Sequence, residues 1–336
     1  MKALFVGGTG IISTAVSALA LERGWELTLL NRGQHRNDIP AGAESLVLDI
    51  NDTEAVKKAL EGKYYDVIAD WIVFTPEQAK RDIKLFSGHC DQYIVTSTCA
   101  SYERPMRDVF VTESTCQTNP YSAYGRNKRK VEEVLLDAYR ETGFPVTIVR
   151  PSLTYGDSMI PYAVNSWRLP WSMPKRILDG RPIVVHGDGT GIWTMTHSTD
   201  FAKGYVGLMG NWKAIGEAFH ITSDELLTWD EMAILIAKAL GKPAPEMVHC
   251  TAQQIMRFMP EEESNLLGDK SSCVIMDNSK IKHFVPDFVC TTRFEEGVRR
   301  SVQYFLAHPE LQIVDEEWDR KIDEIIEADR QFYPKN

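Results

Sequence analysis

The sequence has little that would tie it to nucleic acid, to metal or to a membrane. Lysine and arginine number 37 against 47 aspartates and glutamates, a net charge of −10. Broad nucleic-acid binding relies on basic side chains to neutralise phosphates, so this balance argues against it. The six cysteines (Cys90, Cys99, Cys116, Cys250, Cys273 and Cys290) form no CxxC pair and keep no metal-like spacing with histidine. Scattered thiols in a chain this long suggest a reducing compartment and mostly buried, inert cysteines, and no metal site is expected. No apolar run approaches the ~20 residues of a membrane span. The opening "MKALFVGGTG" lacks the apolar core and cleavage site of a secretion signal. Repeats and low-complexity segments are missing too. These absences leave a cytoplasmic globular protein with no nucleic-acid or membrane partner as the expectation.

What is present is a regular alternation. At 336 residues, 43% of them hydrophobic and 25% charged, the chain can bury one large domain or two unequal ones. Short apolar runs ("KALFVGG", "ELTLLNRG", "SLVLDI", "DVIADWIVF", "DQYIVTST", "FPVTIVRP") alternate with helical patterns. Thr75, Pro76 and Gln78 predict a capped helix start, as do Thr228 with Glu231 and Thr251 with Gln254. Gly24 and Gly62 fall where helices should end. Strict strand–helix alternation predicts a parallel sheet covered on both faces. After Pro151 the pattern loosens around "YAVNSWRLPWSMPKRI", which predicts a smaller lobe and a cleft between the two.

"FVGGTGIIS" joins the first strand to the first helix. Gly8, Gly10 and Ser13 match GxGxxG except at the last position, and Gly7, Gly10 and Ser13 give the GxxGxxG spacing. Glycines at a tight turn let the backbone approach a pyrophosphate, and the helix N-terminus supplies N–H donors. The second strand ends in Asn31 and Arg32, where an NAD site usually has a carboxylate for the ribose hydroxyls. With no carboxylate to repel a 2′-phosphate and an arginine to bind one, NADP is favoured over NAD; otherwise Asn31 alone holds the ribose. Asp49 and Ile50, ending the third strand, should lie near the adenine.

Downstream, "YSAYGRNKRKVEE" sets Tyr124 and Lys128 four residues apart, one helical turn, on one face. Tyr121 has Gly125 at that spacing instead. With the glycine loop, this pair makes the chain resemble the extended short-chain dehydrogenase/reductases, more narrowly the NAD(P)-dependent epimerase/dehydratase group. The resemblance runs to about residue 300 through "RPSLTYGD", "HGDGTG" and "THSTDFAKG". It implies a Rossmann-type doubly wound α/β fold with a smaller C-terminal substrate lobe. The expected division is a dinucleotide domain over 1–155, rejoined by a segment near 192–222. A substrate lobe takes 156–191 and 223–300, and a helical extension 301–336. A homodimer is compatible with the resemblance.

The resemblance also implies roles. Thr98, with Ser97 as a nearby alternative, completes a catalytic triad with Tyr124 and Lys128. A phenol is a poor base at neutral pH. A neighbouring ammonium and an oxidised nicotinamide would favour phenolate and bring it toward the working range. Candidate cofactor contacts are Gly7, Gly10, Ile11, Ile12, Asn31, Arg32, Asp49, Ile50, Lys128, Pro151 and Leu153. Sugar-nucleotide members of this group grip the diphosphate with polar anchors. The matching positions here are Leu153, Trp193 and the pair Leu266–Leu267. Diphosphate left unpaired in a partly buried site is costly, so the expected substrate is a smaller sugar-like hydroxyl or keto compound. Thr98 and Tyr124 would contact it, with Trp193 as a stacking surface or as plain core. Lys270 and Arg168 are the cations that could restore the lost charge. His197 and Asp200 in "THSTDF" are read as structural.

Overall fold

The structure is a computed structural model and describes residues 1–34 and 39–332. Seven strands form its central sheet: β1 (Lys2–Val6), β2 (Glu26–Asn31), β3 (Glu44–Val47), β4 (Tyr65–Asp70), β5 (Cys90–Thr96), β6 (Val146–Arg150) and β7 (Ala218–His220). All pair in parallel, in the order β3-β2-β1-β4-β5-β6-β7. The order reverses between β1 and β4, and the crevice at the carboxyl ends of those strands is where such a sheet takes its ligands.

Burial on both faces explains why the strands read as nearly continuous apolar runs. Ala3 and Phe5 of β1 point into one layer with α1 (Ile11–Glu22) and helix Ser198–Leu208. Leu4 and Val6 point into the other, with α2 (Thr53–Leu60), α3 (Pro76–Phe86) and α4 (Ala123–Thr142). The predicted caps form: Thr75, Thr228 and Thr251 each accept from the backbone N–H three residues on, and the side chain there reaches back. Gly24 and Gly62 follow their helices at φ +81° and +69°, left-handed backbone that glycine adopts at little cost.

A third core holds Trp171, Trp193 and Trp229 with helices Trp229–Ala239 and Phe294–Ala307. Helix Glu316–Phe332 docks on it through Trp318, Ile322, Ile325 and Ile326, and Arg176 pairs with Asp319 and Asp323 at 2.6 and 2.8 Å. Two expectations need correction here. The boundary at residue 301 cuts through helix Phe294–Ala307, whose apolar face is continuous with the lobe core. And β3 ends at Val47, because Asp49 turns the chain by accepting from the Asn51 N–H at 2.9 Å.

Candidate active site

The glycine loop sits at the switch point. Gly7 and Gly8 take φ of +96° and +103°, and a Cβ on Gly8 would lie 2.9 Å from Leu29 Cδ2. That position requires glycine both for its dihedral and for the close approach of β2. Gly10 caps α1, and its N–H donates to Ser13 Oγ at 2.9 Å, so the serine in the third fingerprint position ties the loop to the helix. Ile11 and Ile12 follow in the first helical turn, where backbone N–H groups have no partner within the helix.

Beside the loop lies a cleft of ≈ 330 Å³ lined by Gly7, Thr9, Asn31, Arg32, Asp49 and Ile50, with Phe74 and Gln78 opposite. Asn31 Oδ1 accepts from the Gly33 N–H at 2.8 Å, while its Nδ2 is buried without a partner. A buried orphan donor is costly unless a ligand supplies an acceptor, and ribose hydroxyls would. Arg32 is exposed and makes no ion pair with a described residue. The cleft therefore fits the adenosine end of a dinucleotide.

The second cluster stands at the ends of β5 and α4. Thr98 Oγ1 caps the turn Cys99–Ser101 by accepting from Ala100 N–H at 3.1 Å. It also faces the Tyr124 phenol, where its hydrogen bond favours phenolate. Ser97, the alternative at this position, is turned into the core: it donates to Glu132, which pairs with Arg150 at 2.6 Å. Gly125 brings α4 against this turn. A Cβ there would stand 2.2 Å from the Ala100 carbonyl oxygen, so only glycine lets Tyr124 come down beside Thr98. Asn119 fastens the same corner, donating to the Ala100 and Gly268 carbonyls at 2.7 Å each and accepting from the Tyr121 and Ser122 N–H groups at 3.1 Å. Neither residue was singled out by the sequence motifs.

Lys128 is 1% exposed. Its Nζ donates to the Val73 and Thr96 carbonyls at 2.7 Å each and lies under the Phe74 ring, 4.6 Å from the centroid. Burial drives its pKa down to about 8, and Asp70 and Glu132 pull it back up. The distance from Nζ to the Tyr124 ring centroid is 5.9 Å. The expected lowering of the phenol by this ammonium is not met in the protein alone. Burial raises the Tyr124 pKa, Thr98 offsets part of that, and Asp269 adds to the rise. The positive charge is held in place beneath the site, spent on two carbonyls, with one Nζ–H left over.

Tyr124 and Thr98 open onto a second cleft of ≈ 450 Å³, lined also by Pro151, Leu153, Trp167, Glu262 and Asp269. It adjoins a third of ≈ 460 Å³ around His186, Asp188, Trp229 and Leu267, and Lys270 lines both. Trp193 is corrected to core: it is 1% exposed, packs on Trp229 and lies 4.6 Å below the Lys270 ammonium. The indole at the cleft is Trp167, 47% exposed. Leu266 is fully buried. Lys270 forms an ion pair with Asp269, and Arg168 is exposed outside the linings. His197 meets Asp157 at 3.1 Å and Asp200 meets Lys203 at 2.6 Å, so these two side chains serve separate structural contacts. No metal-binding group of three His, Cys, Asp or Glu occurs among the described residues, nor is any described helix long and apolar enough to cross a membrane.

The chain is similar to several known proteins. Residues 77–221 match the model of the NAD dependent epimerase/dehydratase family. The chloroplast stem-loop binding protein of 41 kDa b from Arabidopsis thaliana is 28% identical over 263 residues, 74% of this chain and 65% of that protein. The chain thus spans just under two thirds of that relative's length. The 2'-dehydrokanamycin reductase of Streptomyces kanamyceticus is 24% identical over 246 residues, 72% of this chain and 68% of the enzyme. Among solved structures, dTDP-glucose 4,6-dehydratase from Bacillus anthracis, in complex with NAD, superposes with a TM-score of 0.73 at 19% identity, covering 93% of this chain and 98% of its own. At that identity the likeness is one of fold.

Proposed function

We propose, from the match of residues 77–221 to the NAD dependent epimerase/dehydratase family, that this chain is an NAD(P)-dependent oxidoreductase or epimerase acting at a hydroxyl or keto carbon of a sugar-like, non-nucleotide substrate. The observation that carries the reading is Tyr124 beside Thr98 at the mouth of a cleft, with a buried lysine one helical turn away. Gly7, Gly10, Asn31 and Arg32 would hold the dinucleotide, with Ile11, Ile12, Asp49, Ile50, Pro151 and Leu153 around it and NADP favoured through Arg32. Bound there, a nicotinamide supplies the hydride acceptor or donor.

The protein's own residues handle the proton. Thr98 donates a hydrogen bond to the reacting oxygen or to Tyr124, holding both in line. Tyr124 accepts the hydroxyl proton in oxidation and returns it in reduction. Lys128, fixed by the Val73 and Thr96 carbonyls, offers its remaining N–H and a positive charge that, together with that of an oxidised nicotinamide, would favour phenolate. Its pKa of about 8 keeps it mostly protonated at neutral pH.

Charge supports the non-nucleotide substrate. Among the described residues Lys270 is the only lysine or arginine lining the cleft at Tyr124 or the one adjoining it, and Asp269 already neutralises it. A diphosphate would arrive with no free partner. The Streptomyces relative is named for reduction of 2'-dehydrokanamycin, a name that carries no nucleotide, and this supports a substrate lacking one. The runner-up is sugar-nucleotide epimerisation or dehydration, the kind of activity named for the Bacillus structure. The Arabidopsis relative is named instead for stem-loop binding; the −10 net charge and the Thr98–Tyr124 contact support catalysis over that reading. Calorimetry with uridine, thymidine and guanosine diphosphate sugars should give millimolar affinity or none, about −4 kcal/mol at most. At least one free sugar, glycoside or polyol should be oxidised or reduced with NADP(H) or NAD(H). Micromolar binding and turnover of a nucleotide sugar would sink the proposal.

A further inference from the structure

The cleft in front of Tyr124 is unequal in charge. Three carboxylates line it, from Glu261, Glu262 and Asp269, against the single ammonium of Lys270. Two of the three are satisfied from behind: Glu261 pairs with Lys321 at 2.9 Å, and Asp269 pairs with Lys270 and, at 3.2 Å, with Arg104. Glu262 differs. Among the described residues it makes no ion pair, and its one side-chain partner is the neutral amide of Asn265, 2.6 Å from Oε2. The same cleft is lined by the half-exposed indole of Trp167. An unpaired carboxylate facing a cavity with an aromatic wall is complementary to a cation carried on a ring.

Resting on the oxidoreductase reading above, we infer that the substrate bears a protonated amine and that Glu262 is its anchor, which makes it an amino sugar or an aminated glycoside. Glu262 lies in the same cleft as Tyr124 and Thr98, so the ammonium and the reacting hydroxyl belong to one molecule held at two points. Burial raises the Glu262 pKa, and an arriving ammonium relieves that cost. Trp167 packs on the ring between the two points. The same carboxylate repels phosphate, which deepens the bias against nucleotide sugars.

The test uses the full chain with NADP+ and three probes: a methyl 2-amino-2-deoxyglucoside, its N-acetyl derivative and the methyl glucoside. By calorimetry the amine should bind about tenfold tighter than either neutral probe, the low end of the scale for a hydrogen bond to a charged group. Glu262→Gln, which keeps the shape and the Asn265 contact, should bring that ratio to about one, whereas Glu261→Gln should leave it in place. Equal affinity of the three probes, no binding of any, or a ratio that survives Glu262→Gln overturns the anchor. Turnover separates the two levels. Neutral glycosides oxidised with no ammonium preference would sink the anchor and keep the oxidoreductase. An ammonium preference without turnover of any hydroxyl or keto compound would do the reverse.

Discussion

Lys128 offers a measurement in which burial and hydrogen bonding act against each other. Lowering its pKa from 10.5 to about 8 means that the fold disfavours the charged form by about 3 kcal/mol at neutral pH. Against this stand two hydrogen bonds from the charged group to the Val73 and Thr96 carbonyls, each contributing about 1.5–3 kcal/mol. Lys128→Met keeps the length of the side chain and removes the charge. It removes the penalty and both bonds together, so at pH 7 its stability should fall within about 2 kcal/mol of the parent.

The pH dependence carries the sharper prediction. Below pH 8 both folded and unfolded chains hold the proton, and the penalty is complete. Between pH 8 and 10.5 the folded chain releases the proton while the unfolded chain retains it. Unfolding then takes up a proton, so the parent gains stability relative to Lys128→Met as pH rises. From pH 7 to 9.5 the gain should be about 2 kcal/mol. Urea denaturation of both proteins, in reductant and without dinucleotide, gives the difference at each pH, and other titrating groups cancel in it. A difference flat up to pH 9.5 would refute the reasoning. It would mean that the two carbonyls, Asp70 and Glu132 hold the ammonium against burial.

Tyr124→Phe should cut turnover at least about a hundredfold while leaving dinucleotide affinity within about twofold, since it removes one proton-transfer oxygen and little volume; near-normal kcat would take Tyr124 out of the mechanism. Arg32→Ala should weaken NADP binding by about 1–3 kcal/mol and NAD binding much less. Equal losses, measured by fluorescence titration, would return the ribose to Asn31 alone. Gly125→Ala should destabilise by about 1–3 kcal/mol, because the Cβ meets the Ala100 carbonyl at 2.2 Å, and that overpacking exceeds the gain of about 1 kcal/mol in helix propensity. It should also lower kcat by parting Tyr124 from Thr98; a thermal melt and a kinetic assay read the two effects separately.

The sequence was most legible where one local signal decides the structure. Thr75-Pro-Glu-Gln78 could only open a helix, and glycines at 7, 8 and 10 between strand and helix could hardly be anything but the turn at the switch point. It was least legible where the cause lies in distant chain. Nothing near Lys128 announces that its ammonium will be held by carbonyls 55 and 32 residues away. The spacing to Tyr124 gave the shared face but not the balance between charge and burial. Trp193 was ambiguous because an indole in an irregular segment packs or stacks equally well; Trp229 beneath it and Lys270 above it settle it as core. Gly125 and Asn119 belong to no motif, since their work is a close approach visible only when α4 meets the turn after β5.

The charges around the substrate cleft show why such a site resists reading from sequence. Asp269 and Lys270 are adjacent in the chain, and an adjacent pair reads as a solvated surface couple. In the fold Lys270 is buried over Trp193 and Asp269 is shared with Arg104, 165 residues away. The one cation able to stand in for the lost anchors is thereby neutralised, and its carboxylate partner raises the Tyr124 phenol. A diphosphate would have to break that pair, whereas an ammonium at Glu262 leaves it intact. The same Asp269 therefore bears on two of the proposals, since it raises a phenol that needs added positive charge to become a base and it occupies the Lys270 ammonium that a diphosphate would need.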